Sequence, residues 1–259
     1  MSNADAEIEN ALSPRARLLL DETGKIECDD PLFARFLDHM RRDFSEHPHA
    51  IRYCKTFAFI MQNGIDFDGK AICDSGGSPM LNFLADAGHD ATPTRSDLRY
   101  EIDRPDESVD IFLSLEVIEH IKDHDSDDRK DVVLFNRSGV ETYVSEIRRV
   151  LKPGGWVFLT TPNPNSALVL HRVLNDSPPL IYAQHVREYT AQELREIFSD
   201  FDEQRYSTEF CFGLFDENRR KIFLEENFGD KSLTFMDKGD DHFFAFRKPA
   251  TDEVVASVD

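Results

Sequence analysis

Asp74, Gly76 and Gly77 form one group of residues whose types and spacing could bind a ligand. A glycine turn lets a ligand approach the backbone, and a helix that follows it offers free N–H groups and a positive dipole end. Ser78 and Pro79 are the residues expected at such a helix start. A tight strand-to-helix turn without a ligand is the alternative. The sequence has no G-x-G-x-x-G motif, which argues against a nicotinamide dinucleotide site.

His120 and His185 are the candidate catalytic residues, because a histidine with a near-neutral pKa can take a proton from a reacting hydroxyl. Glu116 and Glu119 precede His120 by four residues and by one. If this turn is helical, Glu116 and His120 share one face with Glu119. The alternatives are structural: His120 as a hydrogen-bond partner of a helix, and His185 as an anchor of a loop.

Short apolar strands that alternate with helices must position these groups. The segment KAICDSGG predicts a strand and a glycine turn, VDIFLSL a buried strand, and WVFLTTPNP a further strand. The segment GVETYVSEIRRVLKPGG predicts an amphipathic helix that Pro-Gly-Gly closes. This alternation favours a parallel sheet, in which ligands bind at the carboxyl ends of the strands. Asp74 and Glu116 follow two of those ends.

Charge excludes several classes of function. The 259 residues include 30 Lys and Arg against 50 Asp and Glu, a formal charge of −20. Clustered basic residues supply most of the affinity of nucleic-acid binders and of proteins held on anionic membranes. We therefore expect neither nucleic acid nor a membrane as a partner.

In this order and spacing, the blocks resemble the class I S-adenosylmethionine-dependent methyltransferases. DSGG is similar to the first glycine motif of that family, PDESVDIFLSLEVIEHI to its central acidic-strand motif, and RRVLKPGGWVFLTTPN to its late helix-turn-strand motif. HVREYTAQEL, at 185–194, resembles a segment of the subgroup that methylates sugars and other small metabolites. The resemblance covers about residues 65–248.

The resemblance implies a doubly wound α/β sheet, Rossmann-like and mostly parallel with an antiparallel last strand, that binds S-adenosyl-L-methionine. Asp74, Gly76 and Gly77 would lie beside the methionine part of the cofactor. Leu115 and Glu116 would line the pocket after the family's fourth strand. The implied activity is methyl transfer to a hydroxyl or amine of a small molecule such as a sugar, a sugar nucleotide or a secondary metabolite.

The sequence departs from the family between Gly88 and Pro105, where 16 residues stand in place of a strand, a helix and another strand. Typical lengths of about 5 residues for a strand and about 11 for a helix do not fit, so we expect a sheet shortened after its second strand. Arg95 stands where the family has its ribose-binding acid. Asp97 is the candidate for that acid or for the acid on the adenine side, and both alternatives stay open. A catalytically degenerate binding or scaffold protein with the same fold is the competing function.

A metal site is the remaining alternative. Glu116, Glu119, His120 and His185 are similar to the two-Glu, two-His site of small-RNA 2′-O-methyltransferases, and such mixed ligands suit Mg²⁺ or Mn²⁺. The residues EVIEH also occur in metal-free relatives, and the charge of −20 offers no surface for RNA. We therefore expect no metal, and metal-dependent RNA methylation is the less favoured function.

The predicted organisation has three parts: a helical N-terminal cap at 1–64, the methyltransferase-like domain at 65–249 and a flexible acidic tail at 250–259. No apolar run approaches the ~18 residues of a membrane helix, and the first residues are acidic, so we expect a cytoplasmic protein. A homodimer is a possible assembly.

Overall fold

The computed structural model describes residues 13–125, 137–211 and 239–250. Within these ranges the chain forms seven α-helices: α1 Pro14–Thr23, α2 Pro31–Asp43, α3 Ala50–Met61, α4 Pro79–Asp86, α5 Ser138–Val150, α6 Ala167–Leu174 and α7 Ala191–Ile197. The strands are β1 Ala71–Asp74, β2 Asp90–Pro93, β3 Val109–Leu115, β4 Leu151–Pro162, β5 Asp202–Glu209 and β6 Asp241–Arg247. A single 3₁₀ turn, Ile118–His120, follows β3. Most of the predicted acidic tail lies outside the described residues.

The six strands form one sheet in the order β2-β1-β3-β4-β6-β5. Strands β1, β2, β3 and β4 pair in parallel. The N–H of Gly154 donates to the carbonyl of Lys248, and that of Asn163 donates to the carbonyl of Asp240, so β6 runs antiparallel to β4. The predicted fold class, a mostly parallel Rossmann-like sheet with an antiparallel end, is confirmed.

The stretch between Gly88 and Pro105 contains β2 as its only strand, and β2 is the edge of the sheet. The predicted shortening after the second strand is therefore present. Because an edge strand has only one neighbour, the strand that this chain lacks can be missing without dividing the core.

Local signals explain where α4 and β3 form. The Ser78 hydroxyl accepts a hydrogen bond from the N–H of Leu81, and Pro79 occupies the first helical position, where its missing N–H costs nothing. Six of the seven residues of β3 are buried, as the continuous apolar run VDIFLSL predicts for a central parallel strand.

The predicted role of Pro153 and the two glycines after it as a helix stop is wrong. Helix α5 ends at Val150, and residues 152–155 lie inside β4. Val109 pairs with Leu151, but Ile111 pairs with Trp156, so the Lys-Pro-Gly-Gly segment bulges out of the ladder between them. The same residue types occur in bulges and in turns, because both need a glycine in an unusual backbone conformation. The Pro-Gly-Gly sequence therefore does not distinguish the two.

The chain divides into two compact units, Met1–Asp66 with Asn163–Ile181 and Ser207–Phe243, and Phe67–Pro162 with Tyr182–Tyr206 and Phe244–Asp259. The core of the first contains stacked rings of Phe36 and Phe57, with centroids 4.4 Å apart. The core of the second contains Tyr143 beneath the sheet, whose hydroxyl donates to the Ser114 hydroxyl at 2.8 Å. The predicted division at residue 64 stays a prediction. None of the helices described above has the length and apolar character of a membrane span.

Candidate functional site

The turn after β1 is organised by the carboxylate of Asp74, whose side chain is fully buried. Its Oδ1 accepts hydrogen bonds from the N–H groups of Gly76 at 2.7 Å and Gly77 at 2.9 Å. Its Oδ2 accepts from the hydroxyl of Ser78 at 2.7 Å and from the N–H of that residue at 3.3 Å. Asp74 therefore shapes the loop from within, and the exposed part of the turn is the backbone of the two glycines.

Positions 76 and 77 require glycine for different reasons. A Cβ on Gly76 would lie 3.2 Å from Cγ2 of Val117, which is closer than most Cβ contacts. Gly77 has a φ of 71°, a left-handed conformation that few other residues adopt. Without side chains at these two positions, space for a ligand stays open beside the loop backbone and Val117.

Val117 also lines an open groove of about 530 Å³, so the glycine loop and the groove meet at this residue. The volume lies in the range of small-ligand pockets, about 300–1,000 Å³. The groove combines apolar, acidic and basic side chains with a histidine: Ser96, Asp97, Leu98, Arg99, Val117, His120, Ile121, Lys122 and Asp125. Such a surface can hold a ligand that has both an apolar ring and polar hydroxyl or amine groups.

Asp97 lines this groove, whereas Arg95 does not. Arg95 is exposed, and its N–H approaches the Asp103 carboxylate at 3.4 Å. Arg99 and Lys122 are the basic residues that line the groove, and Arg99 donates from Nη2 to Oδ2 of Asp97 at 2.8 Å and from Nε to Oδ1 at 3.1 Å. This pairing lowers the pKa of the Asp97 carboxyl, so that it is ionised near neutral pH.

Leu115 and Glu116 mark the carboxyl end of β3. Leu115 is buried and pairs with Thr160 of β4, while the N–H of Glu116 donates to the Thr160 carbonyl at 2.9 Å. Glu116 has a φ of 58°, an uncommon conformation for a residue with a side chain. Strain of this kind collects at functional sites. The chain turns sharply here and leads from the strand to the 3₁₀ turn that carries His120.

His120 and His185 lie together, although 64 residues separate them in the chain. Their ring centroids are 4.9 Å apart in an edge-to-face arrangement with an interplanar angle of 81°. Oε1 of Glu119 lies 3.9 Å from Nε2 of His120. Glu119, His120 and His185 each offer one ligand atom, and these three atoms all lie within 4.8 Å of one another. Glu116 is not part of this set.

Burial differs within the cluster. The side chains of Glu119 and His185 are 0% and 5% exposed, whereas that of His120 is 48% exposed. Burial, followed by repulsion from His185, lowers the pKa of His120 below its ordinary value. The Glu116 carboxylate and a hydrogen bond from the His120 ring to the backbone carbonyl of Gln184 oppose this effect. The His120 imidazole is therefore neutral at pH 7 and has a lone pair available for a proton or a cation.

The sequence analysis did not identify two hydrogen-bond partners of the cluster, Glu188 and Thr161. Glu188 accepts a hydrogen bond from Nδ1 of His185 at 2.6 Å, and its side chain is 1% exposed. The Thr161 hydroxyl donates to Oε2 of Glu119 at 2.9 Å in the buried interior. The three-residue spacing of His185 and Glu188 could have suggested the first contact, but no local signal connects position 161 with position 119.

The sequence matches a family model described as a methyltransferase domain over residues 36–202, which is more than half of the chain. The chain therefore belongs to this family, and the predicted membership of the class I S-adenosylmethionine-dependent methyltransferases is confirmed. The prediction of S-adenosyl-L-methionine as the cofactor is confirmed for the family.

A curated relative from Mycolicibacterium smegmatis, named as a probable S-adenosylmethionine-dependent methyltransferase, is 33% identical over 107 residues. The match covers 40% of this chain and 33% of the relative, so the chain spans about a third of that protein. Among solved structures, a SAM-dependent methyltransferase from Archaeoglobus fulgidus is 16% identical with a TM-score of 0.49, over 76% of this chain and 94% of that one. Phosphoethanolamine N-methyltransferase 2 from Haemonchus contortus, in complex with S-adenosyl-L-methionine, is 16% identical with a TM-score of 0.47, over 84% and 60%.

The residues present fit this cofactor. The exposed glycine backbone gives room for the methionine part, and the groove beyond Val117 offers Leu98 and Ile121 to an apolar ring. Asp97, which lines the same groove, would supply a carboxylate to hydroxyl or amine groups of the cofactor. When bound, S-adenosyl-L-methionine supplies an electrophilic methyl group on a sulfonium sulfur.

Proposed function

We propose that this protein transfers a methyl group from S-adenosyl-L-methionine to a hydroxyl or amine of a small molecule in the cytoplasm. The observation that carries the proposal is the single groove that Asp97, Val117 and His120 line together. Because Val117 also contacts the glycine loop, this groove joins the residues proposed to bind the cofactor to a residue proposed for catalysis. In this proposal Gly76, Gly77, Asp97, Leu115 and Glu116 bind the cofactor, and Asp74 shapes the loop beside its methionine part from within.

Methyl transfer is a displacement in which the acceptor oxygen or nitrogen forms a bond to the methyl carbon while the carbon–sulfur bond breaks. The electron pair of that bond stays on sulfur and yields S-adenosylhomocysteine. The main task of the protein is to hold the acceptor in line with the methyl group. His120 and His185 are the catalytic residues of this proposal. Their ring centroids lie 4.9 Å apart, and the half-exposed His120 imidazole could take the proton of an acceptor hydroxyl.

The surroundings of the histidine pair favour a small acceptor. Tyr182 and Val186 are 46% and 47% exposed, and the Tyr182 ring lies 5.6 Å from that of His185. These side chains offer apolar contact to the body of a sugar or a secondary metabolite. The charge of −20 again argues against RNA as the acceptor.

One observation supports the competing function, a binding or scaffold protein that does not bind the cofactor. The Asp97 carboxylate already has both oxygens paired with Arg99, so a cofactor must share or displace that pair. Cofactor binding separates the two functions directly.

Isothermal titration calorimetry with S-adenosylhomocysteine tests the proposal. We expect binding at micromolar concentration to the wild type and none to Gly76→Asp, because the new side chain occupies the space over the glycine loop. Gly69→Asp is the matched control: it lies in a turn before β1, and a Cβ there has nothing within 4 Å. The φ of 66° at Gly69 is left-handed, and aspartate adopts this conformation more readily than most residues with a side chain, so we expect the control to fold with a small loss of stability.

A wild type that does not bind S-adenosylhomocysteine at high micromolar concentration would reject the enzyme in favour of the scaffold. Equal binding by the folded Gly76→Asp variant would instead remove the glycine loop from the cofactor site. Thermal unfolding of both variants shows whether they fold.

A further inference from the structure

The cluster of Glu119, His120 and His185 contains more than an acid–base pair requires. A base needs one imidazole, whereas here a carboxylate and two imidazoles converge within 4.8 Å at the carboxyl ends of the strands. Two of the three side chains are buried, and the third lies on the groove. Convergence of this kind is the geometry of a cation site with one open side.

We propose that Glu119, His120 and His185 bind one divalent transition-metal ion, Zn²⁺ or Mn²⁺, at the edge of the groove. The sequence led us to expect no metal, because EVIEH also occurs in metal-free relatives and the charge of −20 offers no surface for RNA. Binding of the ion does not depend on the proposed methyl transfer. The role of the ion in catalysis, however, rests on that proposed function.

The distances permit such an ion. Three atoms no more than 4.8 Å apart share a point that lies within about 2.8 Å of each of them. Bonds from Zn²⁺ to histidine nitrogen or carboxylate oxygen measure about 2.0–2.2 Å. Shifts of less than about 1 Å, well within the freedom of the half-exposed His120 side chain, would close the site.

The partners of the cluster orient its ligand atoms. Nδ1 of His185 is bound to Glu188 at 2.6 Å, so the nitrogen that His185 can offer to an ion is Nε2. Thr161 holds Oε2 of Glu119 at 2.9 Å, while Oε1 faces His120. A carboxylate behind a histidine ligand fixes its tautomer and raises its basicity, which is the usual second layer of a metal site.

The donor set selects the class of ion. Imidazole suits Zn²⁺ and other transition metals, and a mixed set with a carboxylate also suits Mn²⁺. Mg²⁺ and Ca²⁺ prefer oxygen ligands and should bind more weakly. The formal charge of the set is −1 with neutral histidines, and the buried Glu188 carboxylate behind His185 adds a second negative charge, so a divalent ion balances the two carboxylates.

The role of the ion follows from its open side. An acceptor hydroxyl bound there would lose its proton to solvent more readily, because the cation stabilises the alkoxide. The alkoxide oxygen would then bond to the methyl carbon as the carbon–sulfur bond breaks. With the ion bound, His120 and His185 would be its ligands, so the ion would replace a free imidazole as the group that acts on the acceptor hydroxyl. It would not act on the cofactor.

Calorimetric titration of chelator-treated protein with Zn²⁺ and Mn²⁺ tests the site. We expect one ion per chain and an affinity that His120→Ala lowers about a hundredfold or more, with Mg²⁺ binding at least about tenfold more weakly than Mn²⁺. Glu188→Gln, which keeps the shape but not the charge behind His185, should weaken binding about 10–100-fold. His171→Ala, in α6, is the control and should bind like the wild type.

The absence of stoichiometric binding to the wild type, or equal binding by the folded His120→Ala variant, would overturn the metal site. S-adenosylhomocysteine binding to the metal-free protein is measured in parallel. If that ligand binds and no metal does, the proposed function survives and the metal site fails; if neither binds, both fail.

Discussion

The glycine loop and the histidine cluster both contain a buried carboxylate. In the glycine loop the contacts are with residues close in sequence, whereas in the histidine cluster they are with distant segments of the chain. Asp74 makes its four hydrogen bonds to residues 76–78. The Glu119 carboxylate accepts a hydrogen bond from the Thr161 hydroxyl. The backbone carbonyl of Glu119 accepts from the N–H groups of Val186 and Arg187. The first region is therefore a local motif, whereas the second exists only when three separate segments have assembled.

This difference has energetic consequences. A carboxylate whose donors all lie in one turn loses its whole network when its charge is removed. At the cluster, a substitution at Thr161 removes one donor from the Glu119 carboxylate and leaves the backbone contacts of Glu119 with Val186 and Arg187 in place. The glycine loop should therefore respond more strongly to a single substitution than the cluster does.

Asp74→Asn should have the largest effect. The asparagine side chain keeps one acceptor and turns its NH₂ group toward donors that need an acceptor. Because hydrogen bonds to charged groups contribute about 1.5–3 kcal/mol each, we expect the free energy of unfolding to fall by about 3 kcal/mol. Urea denaturation measures this loss, and calorimetry should show at least a tenfold weaker binding of S-adenosylhomocysteine, about 1.4 kcal/mol.

Asp90→Asn is the matched control for this experiment, since Asp90 is an exposed residue of the adjacent strand β2. It should leave both the unfolding free energy and the binding of S-adenosylhomocysteine unchanged. An Asp74→Asn variant as stable as Asp90→Asn would show that the loop does not depend on the charge.

Thr161→Val should have an intermediate effect. It removes the hydroxyl that donates to the buried Glu119 carboxylate and keeps the shape of the side chain. We expect the free energy of unfolding to fall by about 1–2 kcal/mol, as measured by urea denaturation. If the metal site is correct, Zn²⁺ binding should weaken as well, because Oε1 of Glu119 is then less firmly oriented.

The neighbouring Thr160 provides the control for this substitution. Its hydroxyl is buried and makes no hydrogen bond with any residue that the structure describes. Thr160→Val should therefore be neutral or stabilising. Equal losses from the two valine variants would mean that the bond between Thr161 and Glu119 contributes nothing specific.

The elements that the sequence predicted well are those with local signals. Ser78 and Pro79 mark the start of α4 as expected, and a capping box of Thr190 and Glu193, a local signal of the same kind, forms at the start of α7. The buried strand Val109–Leu115 has the bounds of its apolar run. Each of these signals acts over fewer than ten residues, so the sequence contains it in full.

The contacts that the sequence could not predict join distant segments. The bulge at residues 152–155 depends on the pairing of β4 with β3, and a Pro-Gly-Gly signal is the same in a turn and in a bulge. The hydrogen bond between Thr161 and Glu119 crosses 42 residues. The sequence identified His120 and His185 as candidates, but only the fold shows that they lie side by side.

Arg99→Gln should have the smallest effect. It tests the groove that His120 lines and that adjoins the glycine loop at Val117. The pair of Arg99 and Asp97 lies at the surface, where ion pairs contribute little to stability, so the denaturation midpoint should not change measurably. Release of Asp97 leaves its oxygens for the hydroxyl or amine groups of the cofactor, and we expect S-adenosylhomocysteine to bind a few-fold more tightly. The exposed Arg95 lies outside the groove, so Arg95→Gln should not change the affinity. A weaker affinity in Arg99→Gln would show that the guanidinium itself belongs to the binding surface, and that Asp97 serves to hold it there.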